Sequence, residues 1–273
     1  MSPFRAEKKE EKMIDWYLEN DDTEPVIQAR VHARSEHRGE PLDLPETAVL
    51  FFQSQGVPYL QAHHPVITLT EMLPRFLFPT PVYAVKGEEG VCFLDGGRGA
   101  PQGADTVETL FALGVKKFIL VGYCGCFAGE VGLCDAVAPP RILVEEGTSH
   151  HYHPRIRWAA PSPELHRQAV AFLSPRLRVW EQPTVTTDAV YRQTVRKEAL
   201  WRQQGCVGVD MEASAVLSVS QYLGAEAVAL LLVSDKHPTA EDPTPWSWGV
   251  RRRVEARDRF FQAAIDFAFA QGR

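Results

Sequence analysis

From residue 45 to the C-terminus, apolar runs of strand length alternate with longer segments of helical pattern. This alternation confines the chain to an α/β architecture with a parallel or mixed sheet. Residues 48–52 (Ala-Val-Leu-Phe-Phe) form such a run, and residues 81–85 and 91–94 flank the turn 86–90 as a hairpin. Further strands are expected at 117–121, 135–137, 142–145, 177–180, 184–187 and 227–233. Helices are expected at 102–113, 164–173, 195–203, 212–223 and 250–270. No internal repeat and no Pro- or Ser-rich linker divides this stretch, so the expectation is one α/β domain over 45–273, a mixed central sheet flanked by helices. Residues 1–44 read as an N-terminal extension with a mixed charge run at 5–12 and a turn or cap signal at 20–22. Trp16 and Tyr17 are its anchors if it docks; a solvated tail is the other reading.

A chain of 273 residues with 45% hydrophobic and 23% charged residues supports a full globular core. Its net charge of −6 offers no basic footprint for nucleic acid. No apolar run reaches the roughly 20 residues that span a bilayer. The first residues, Met-Ser-Pro-Phe-Arg, lack the apolar stretch of a secretory signal, and the expectation is a cytoplasmic protein. Five cysteines, an odd number, read as reduced thiols rather than a disulfide framework; Cys124 and Cys126 alternate along a strand end and are expected to pack.

The most chemically pointed segment is 207–216, Val-Gly-Val-Asp-Met-Glu-Ala-Ser-Ala-Val, where an apolar strand hands over to a small-residue helix at Asp210, Met211 and Glu212. Open α/β sheets bind ligands beyond the carboxyl ends of their strands, so Glu212 is placed to meet one. The apolar strand 227–233 delivers Ser234 and Asp235 to the same edge. Two carboxylates on two strand ends make a candidate active site.

Other segments carry weaker signals. Asp95-Gly96-Gly97-Arg98-Gly99-Ala100-Pro101 ends a strand and opens a helix, a place where glycine N–H groups and a helix N-terminus favour an anion. No Gly-Lys-Ser/Thr follows, so it is not a Walker loop, and Arg98 is either a phosphate ligand or a solvated loop arginine. Gly122 and Gly125, in Val-Gly-Tyr-Cys-Gly-Cys, either let a ligand lie against the backbone or make a tight turn. His150, His151 and His153 invite a metal, yet neighbours on an extended segment point opposite ways and cannot converge on one ion; no metal is expected. Asp188 reads equally as a cap, and Tyr191 either packs on a flat ring or sits in the core.

Taken in order, the glycine loop 97–101, the segment 114–125, Thr187-Asp188-Ala189-Val190-Tyr191, Val209-Asp210-Met211-Glu212-Ala213 and Val233-Ser234-Asp235 resemble the nucleoside phosphorylase family. That family includes bacterial purine nucleoside phosphorylase, uridine phosphorylase and the methylthioadenosine nucleosidases. The resemblance implies that Glu212 accepts hydrogen bonds from ribose hydroxyls, with Met211 packed under the sugar. It implies that Asp235 protonates a purine N7 as the glycosidic bond breaks, with Ser234 orienting it. Val190 and Tyr191 fall where the family contacts the base, although Val190 replaces a phenylalanine. Gly97, Arg98, Gly99 and Gly122 would frame the anion or water site, and Arg257 is a candidate to assist Asp235. The resemblance further implies a small-molecule nucleoside substrate, no cofactor beyond inorganic phosphate as co-substrate, and a homo-oligomer, dimer or hexamer.

Departures from the family pattern concentrate at one end of this site. Phosphorolytic members carry an arginine before the Val-Gly and a serine or threonine after it; here those positions are Leu120 and Tyr123. The family's Gly-Asp-Pro phosphate loop is replaced by Gln53-Ser54-Gln55-Gly56. Three readings stay open: phosphate held differently, with Arg98 reaching in, which family weight puts first; water in its place, as in the hydrolytic branch; or nucleoside binding without turnover. Asp235 resembles the purine-cleaving branches, while the rest of the base pocket matches neither purine nor pyrimidine members. The insertion 238–246 is a lid or a rigid surface loop held by three prolines.

Overall fold

A computed structural model describes residues 21, 23–36, 42–239, 243–249 and 253–273. The charge run 5–12, Trp16 and Tyr17 lie outside the described residues, as do 240–242 of the proline-rich insertion. In chain order the elements are α1 (Ala29–Glu36), β1 (Thr47–Phe51), α2 (Gly56–His63), β2 (Val66–Leu73), β3 (Thr80–Val85), β4 (Glu88–Asp95), α3 (Ala100–Ala112) and β5 (Lys117–Cys126). Next come β6 (Ala136–Val137), β7 (Ile142–Glu145), α4 (Ser149–Tyr152), β8 (Trp158–Ala159), α5 (Pro163–Leu173), β9 (Val179–Trp180) and β10 (Thr184–Thr187). A 3-10 turn (Val190–Arg192), α6 (Val195–Gln203), β11 (Gly208–Asp210), α7 (Ala213–Tyr222), β12 (Glu226–Lys236), β13 (Ser247–Trp248) and α8 (Val254–Gln271) complete the chain.

The strands form one mixed sheet in the order β2-β3-β4-β1-β5-β11-β10-β7-β8, with β12 also pairing β5. Side chains on a strand alternate between faces, and here the alternation feeds two cores. Ala48 and Leu50 of β1 and Ala229 and Leu231 of β12 join Val107 and Leu110 of α3 and Val216 of α7. Val49 and Phe51 of β1 and Val228 and Leu230 of β12 join Leu165 of α5 and Phe260, Phe261 and Phe267 of α8 on the opposite face. Strands covered on both faces read as unbroken apolar runs, which is why β1 and most of β12 carried no polar alternation. Ala33 of α1 is buried with the α3 side of the core.

Strand β5 is the hinge of the architecture. Its first half, Lys117 to Val121, pairs in parallel with β1, and Gly125 and Cys126 pair antiparallel with β11. Strand β12 accompanies it in parallel along its whole length, with one irregularity between Val233 and Asp235. The strand expected at 117–121, with a small-residue strand end over 121–126, runs unbroken through Gly122 and Gly125 to Cys126, because pairing on both sides outweighs the weak strand preference of glycine. Strand β12 likewise extends past Val233, so Ser234 and Asp235 sit within the strand. Helix α2 and strand β2 were not anticipated. The loops after β1 and β4, the middle of β5 and the ends of β11 and β12 meet around one cavity. Among the described residues no helix is long and apolar enough to cross a membrane.

Candidate active site

The cavity has a volume of about 810 Å³, and both expected carboxylates, Glu212 and Asp235, line it. Glu212 is placed by the turn between β11 and α7. There Asp210, itself buried, accepts through Oδ1 from the N–H groups of Glu212 (2.9 Å) and Ala213 (2.8 Å) and from the Thr186 hydroxyl (2.9 Å). Asp210 therefore satisfies the exposed amides at the start of α7 and fixes the residue that follows. Glu212 Oε1 accepts the Gly99 N–H at 2.6 Å. Burial pushes the Glu212 carboxyl up to about 8, with Asp210 adding to it and the Gly99 N–H and Arg98 opposing.

Asp235 is almost fully buried and heavily hydrogen-bonded. Its Oδ2 accepts from Trp246 Nε1 at 2.6 Å and lies 3.3 Å from His237 Nε2, while the Ser234 hydroxyl sits against Oδ1. Burial alone raises such a carboxyl, but the hydrogen bonds from His237, Ser234 and Trp246 outweigh it and hold Asp235 below its ordinary value. The other ring nitrogen of His237, Nδ1, lies 2.7 Å from Glu198 Oε1 of α6. Burial pulls His237 down, yet its two carboxylate partners prevail and push it up to about 9. Gly125 makes room for the ring: a Cβ there would stand 2.4 Å from His237 Nε2 and 3.1 Å from Asp235 Oδ2.

A family model, the phosphorylase superfamily, matches residues 70–266 and so takes in both carboxylates and their strands. The chain belongs to the phosphorylase superfamily. It is similar to the guanosine phosphorylase of Halorubrum lacusprofundi, 28% identical over 138 residues that cover 50% of this chain and 57% of that protein. It is also similar to the DeoD-type purine nucleoside phosphorylase of Myxococcus xanthus, 28% identical over 171 residues, or 60% of this chain and 67% of that protein. The match thus spans little more than half the length of the first of these relatives. Two solved structures share the fold. Purine nucleoside phosphorylase from Toxoplasma gondii in complex with immucillin-H superposes with a TM-score of 0.73 at 16% identity, covering 86% of this chain and 95% of that one. AMP nucleosidase from Bacteroides thetaiotaomicron gives 0.62 at 22%, covering 85% and 94%.

Within this phosphorylase-superfamily chain, the residues expected at the nucleophile end are arranged differently from those at the sugar end. The Gly97 N–H donates to Asp95 Oδ1 (2.8 Å), the Arg98 N–H to Gln102 Oε1 (2.7 Å) and the Gly99 N–H to Glu212. The glycine-loop amides thus serve protein acceptors. The Arg98 side chain lines the cavity but pairs with Asp95 at 2.9 Å, and Arg257, also on the cavity wall, pairs with Asp258 at 2.7 Å. Gly122 lies away from the cavity, its vacant side packed against Leu231 and Leu120. Leu120 is in the core, and the Tyr123 hydroxyl reaches Gln55 Oε1 at 3.3 Å.

Val190 and Tyr191, expected at the base, and Met211, expected under the sugar, all line the cavity; Tyr191 is 96% exposed and stands at the rim without core contacts. Trp246 and Trp248 also line the cavity, their rings 5.2 Å apart and T-shaped. The proline-rich insertion therefore reaches into the site at Trp246. His153, of the histidine cluster, contacts the Ser218 carbonyl oxygen at 2.9 Å, remote from the cavity wall. Among the described residues no group of three His, Cys, Asp or Glu could hold a metal ion.

Three site residues escaped the sequence reading: His237, Glu198 and Trp246. His237 was within reach, since positions i and i+2 of an extended strand share a face and Asp235 is two residues before it. Glu198 carried no such signal, lying on a separate helix 39 positions from its partner.

Proposed function

We propose that the protein cleaves the N-glycosidic bond of a purine nucleoside, with Glu212 holding the ribose hydroxyls, Met211 under the sugar and Asp235 delivering a proton to N7 of the leaving base. The observation that carries this reading is the 2.6 Å contact between Trp246 Nε1 and Asp235 Oδ2 in the cavity that Glu212 lines. A bicyclic aromatic N–H on that oxygen is the geometry a protonated purine N7 adopts. Ser234, against the other oxygen, fixes the plane of the carboxyl group. Protonating the base as it leaves lowers the barrier to an oxocarbenium-like sugar.

Water is the nucleophile that this site favours. Glycine-loop amides engaged with protein acceptors and two arginines already paired with aspartates leave a neutral nucleophile end, framed by Gln53, Gln55 and the Tyr123 hydroxyl. A phosphate dianion would need compensating charge there. Phosphorolysis is the second reading, supported by Arg98 and Arg257 on the cavity wall and by the phosphorylase names of the relatives. In that case Arg98 exchanges Asp95 for phosphate.

Product analysis separates these. Purified protein is incubated with a purine nucleoside, with and without inorganic phosphate. Free ribose without phosphate supports hydrolysis, and ribose 1-phosphate that depends on added phosphate supports the second reading. Unchanged nucleoside together with saturable binding overturns both and leaves a binding protein. We also infer a cytoplasmic homo-oligomer. Exposed Met72, Phe76, Leu77 and Phe78 supply an apolar surface for the contact, and sedimentation velocity reads the outcome.

A further inference from the structure

Asp235 is hydrogen-bonded as an ionised carboxylate, yet the reaction proposed above asks it for a proton. The same cavity wall holds a source. His237 bridges two carboxylates, Asp235 through Nε2 (3.3 Å) and Glu198 through Nδ1 (2.7 Å), and the three side chains are 6%, 11% and 10% exposed in the order Asp235, His237, Glu198. Both ring nitrogens face acceptors, an arrangement that only the doubly protonated imidazolium satisfies in full. The ring is held in place: it occupies the space a Gly125 Cβ would fill, and Phe127 lies with its centroid 6.3 Å away. Arg202 stands 4.0 Å from Glu198 Oε2, while Lys236 turns away to the carbonyl oxygens of Ala128 and Val131.

We propose that His237 is the proton store of the site, a positioning residue held by Glu198 that recharges Asp235 as the base departs. The inference rests on the N-glycosidic cleavage proposed above. In the step, the C1′–N9 bond breaks with its electron pair going to the purine. Asp235 Oδ2 gives a proton to N7, His237 Nε2 gives its proton to Asp235, and the imidazole keeps its Nδ1–H on Glu198. The attacking water forms the C1′–O bond and releases one proton, which returns the imidazole to imidazolium. Charge and atoms balance, since nucleoside and water become ribose and neutral purine.

This assignment separates substrates by whether their base needs a proton. A 7-methylated purine nucleoside already carries positive charge on its base and leaves without N7 protonation. The test measures kcat and KM for an ordinary purine nucleoside and its 7-methyl counterpart with the full chain and with His237→Gln. The expected loss in kcat for the ordinary nucleoside is about 10²- to 10⁴-fold, the usual contribution of a positioned proton donor. For the 7-methyl nucleoside the loss shrinks to a few-fold. Equal losses on both overturn the assignment, because a structural role does not distinguish them, and so does an unchanged kcat on the ordinary nucleoside. Glu198→Gln provides an independent reading if His237→Gln does not fold: removing its charge moves the alkaline limb of the kcat profile to lower pH, and an unmoved limb overturns the relay. If the unaltered protein turns over neither nucleoside, the cleavage reading itself fails and the relay falls with it.

Discussion

The Gly99 N–H points at Glu212 Oε1 from 2.6 Å, so the glycine loop and the β11–α7 turn, 113 positions apart in sequence, are joined inside the cavity. The loop expected to cradle an anion instead orients a protein carboxyl group. With one oxygen so engaged, the Glu212 carboxyl group is held in one orientation on the cavity wall. Glu212→Gln keeps the size and an acceptor oxygen but removes the charge. Above about pH 8, where Glu212 is a carboxylate, the expected effect of the substitution is a rise in KM of about 10- to 100-fold, in line with the worth of a hydrogen bond to a charged group. Initial-rate kinetics check it, and an unchanged KM contradicts a sugar-binding role.

The acid–base groups set a pH window. Glu212 ionises near about 8 and His237 loses its proton near about 9. Sugar binding strengthens as Glu212 becomes a carboxylate, and proton supply fails as His237 becomes neutral, so kcat/KM peaks between these values. A profile that stays level from neutral to strongly alkaline pH contradicts both assignments.

The same two groups affect stability. Each binds its proton more tightly in the folded protein than at its reference value of 4.5 for Glu212 and 6.5 for His237. The native state therefore keeps protons that the unfolded chain has released, and stability falls as pH rises. The Glu212 share declines from above 4.5 through about 8; the His237 share is fully present below 6.5 and lost through about 9. Thermal melting across this range shows a downward slope in Tm, which flattens in Glu212→Gln and His237→Gln.

Gly125 and Gly122 offer a matched pair. Ala at 125 places a methyl group 2.4 Å from His237 Nε2, so the ring must move off Asp235. Ala at 122 meets Leu231 at 3.3 Å and Leu120 at 3.4 Å, deep in the core. Gly125→Ala is expected to reduce kcat and shift the pH optimum. Gly122→Ala costs about 1–3 kcal/mol of stability by overpacking and leaves the pH optimum in place. Denaturant titration and rate profiles of the two variants separate these outcomes.

Asp235→Asn removes the acid while keeping a side chain of the same shape. The expected result is a fall in kcat of about 10²- to 10⁴-fold with nucleoside binding retained. Calorimetric titration beside kinetics reads both quantities, and loss of binding with unchanged kcat at saturation contradicts the assignment.

Strands β7 and β10 and helix α6 have the bounds expected from sequence, because each apolar or periodic run is closed at both ends by turn residues. Helix α2 was hidden by its composition, since Gly56 and Pro58 both stand in its first turn and read as loop. Strand β2 was hidden by its exposure, its Thr-Leu-Thr-Glu-Met stretch having little to bury. The continuation of β5 is hinted at locally only by the alternation of Cys124 and Cys126, both of which pack; its extent depends on its partners β12 and β11, far away in sequence. The candidate site divides in the same way. Asp235 follows the apolar run 227–233 and Glu212 stands just past β11, where a sequence pattern marks them; the Glu198 partner of His237 and the Trp246 partner of Asp235 depend on how separate segments pack. The expected anion role of the glycine loop could not be judged from sequence, because the acceptors that engage its amides, Asp95, Gln102 and Glu212, are settled only by the fold.

Trp246 gives Asp235 a ligand from its own chain. On the proposed function its indole is a tethered competitor, present at a local concentration that no dilution lowers, and a nucleobase would reach Asp235 only in the fraction of molecules from which the ring has withdrawn. Measured affinity is then the intrinsic affinity scaled by that fraction. Trp246→Phe keeps an aromatic ring, though a smaller one, and deletes the N–H, so nucleoside binding is expected to tighten while Asp235 loses one of the donors that hold it ionised. On the proposed reading, that contact gives up grip on the substrate in exchange for an acid kept anchored while no base is bound.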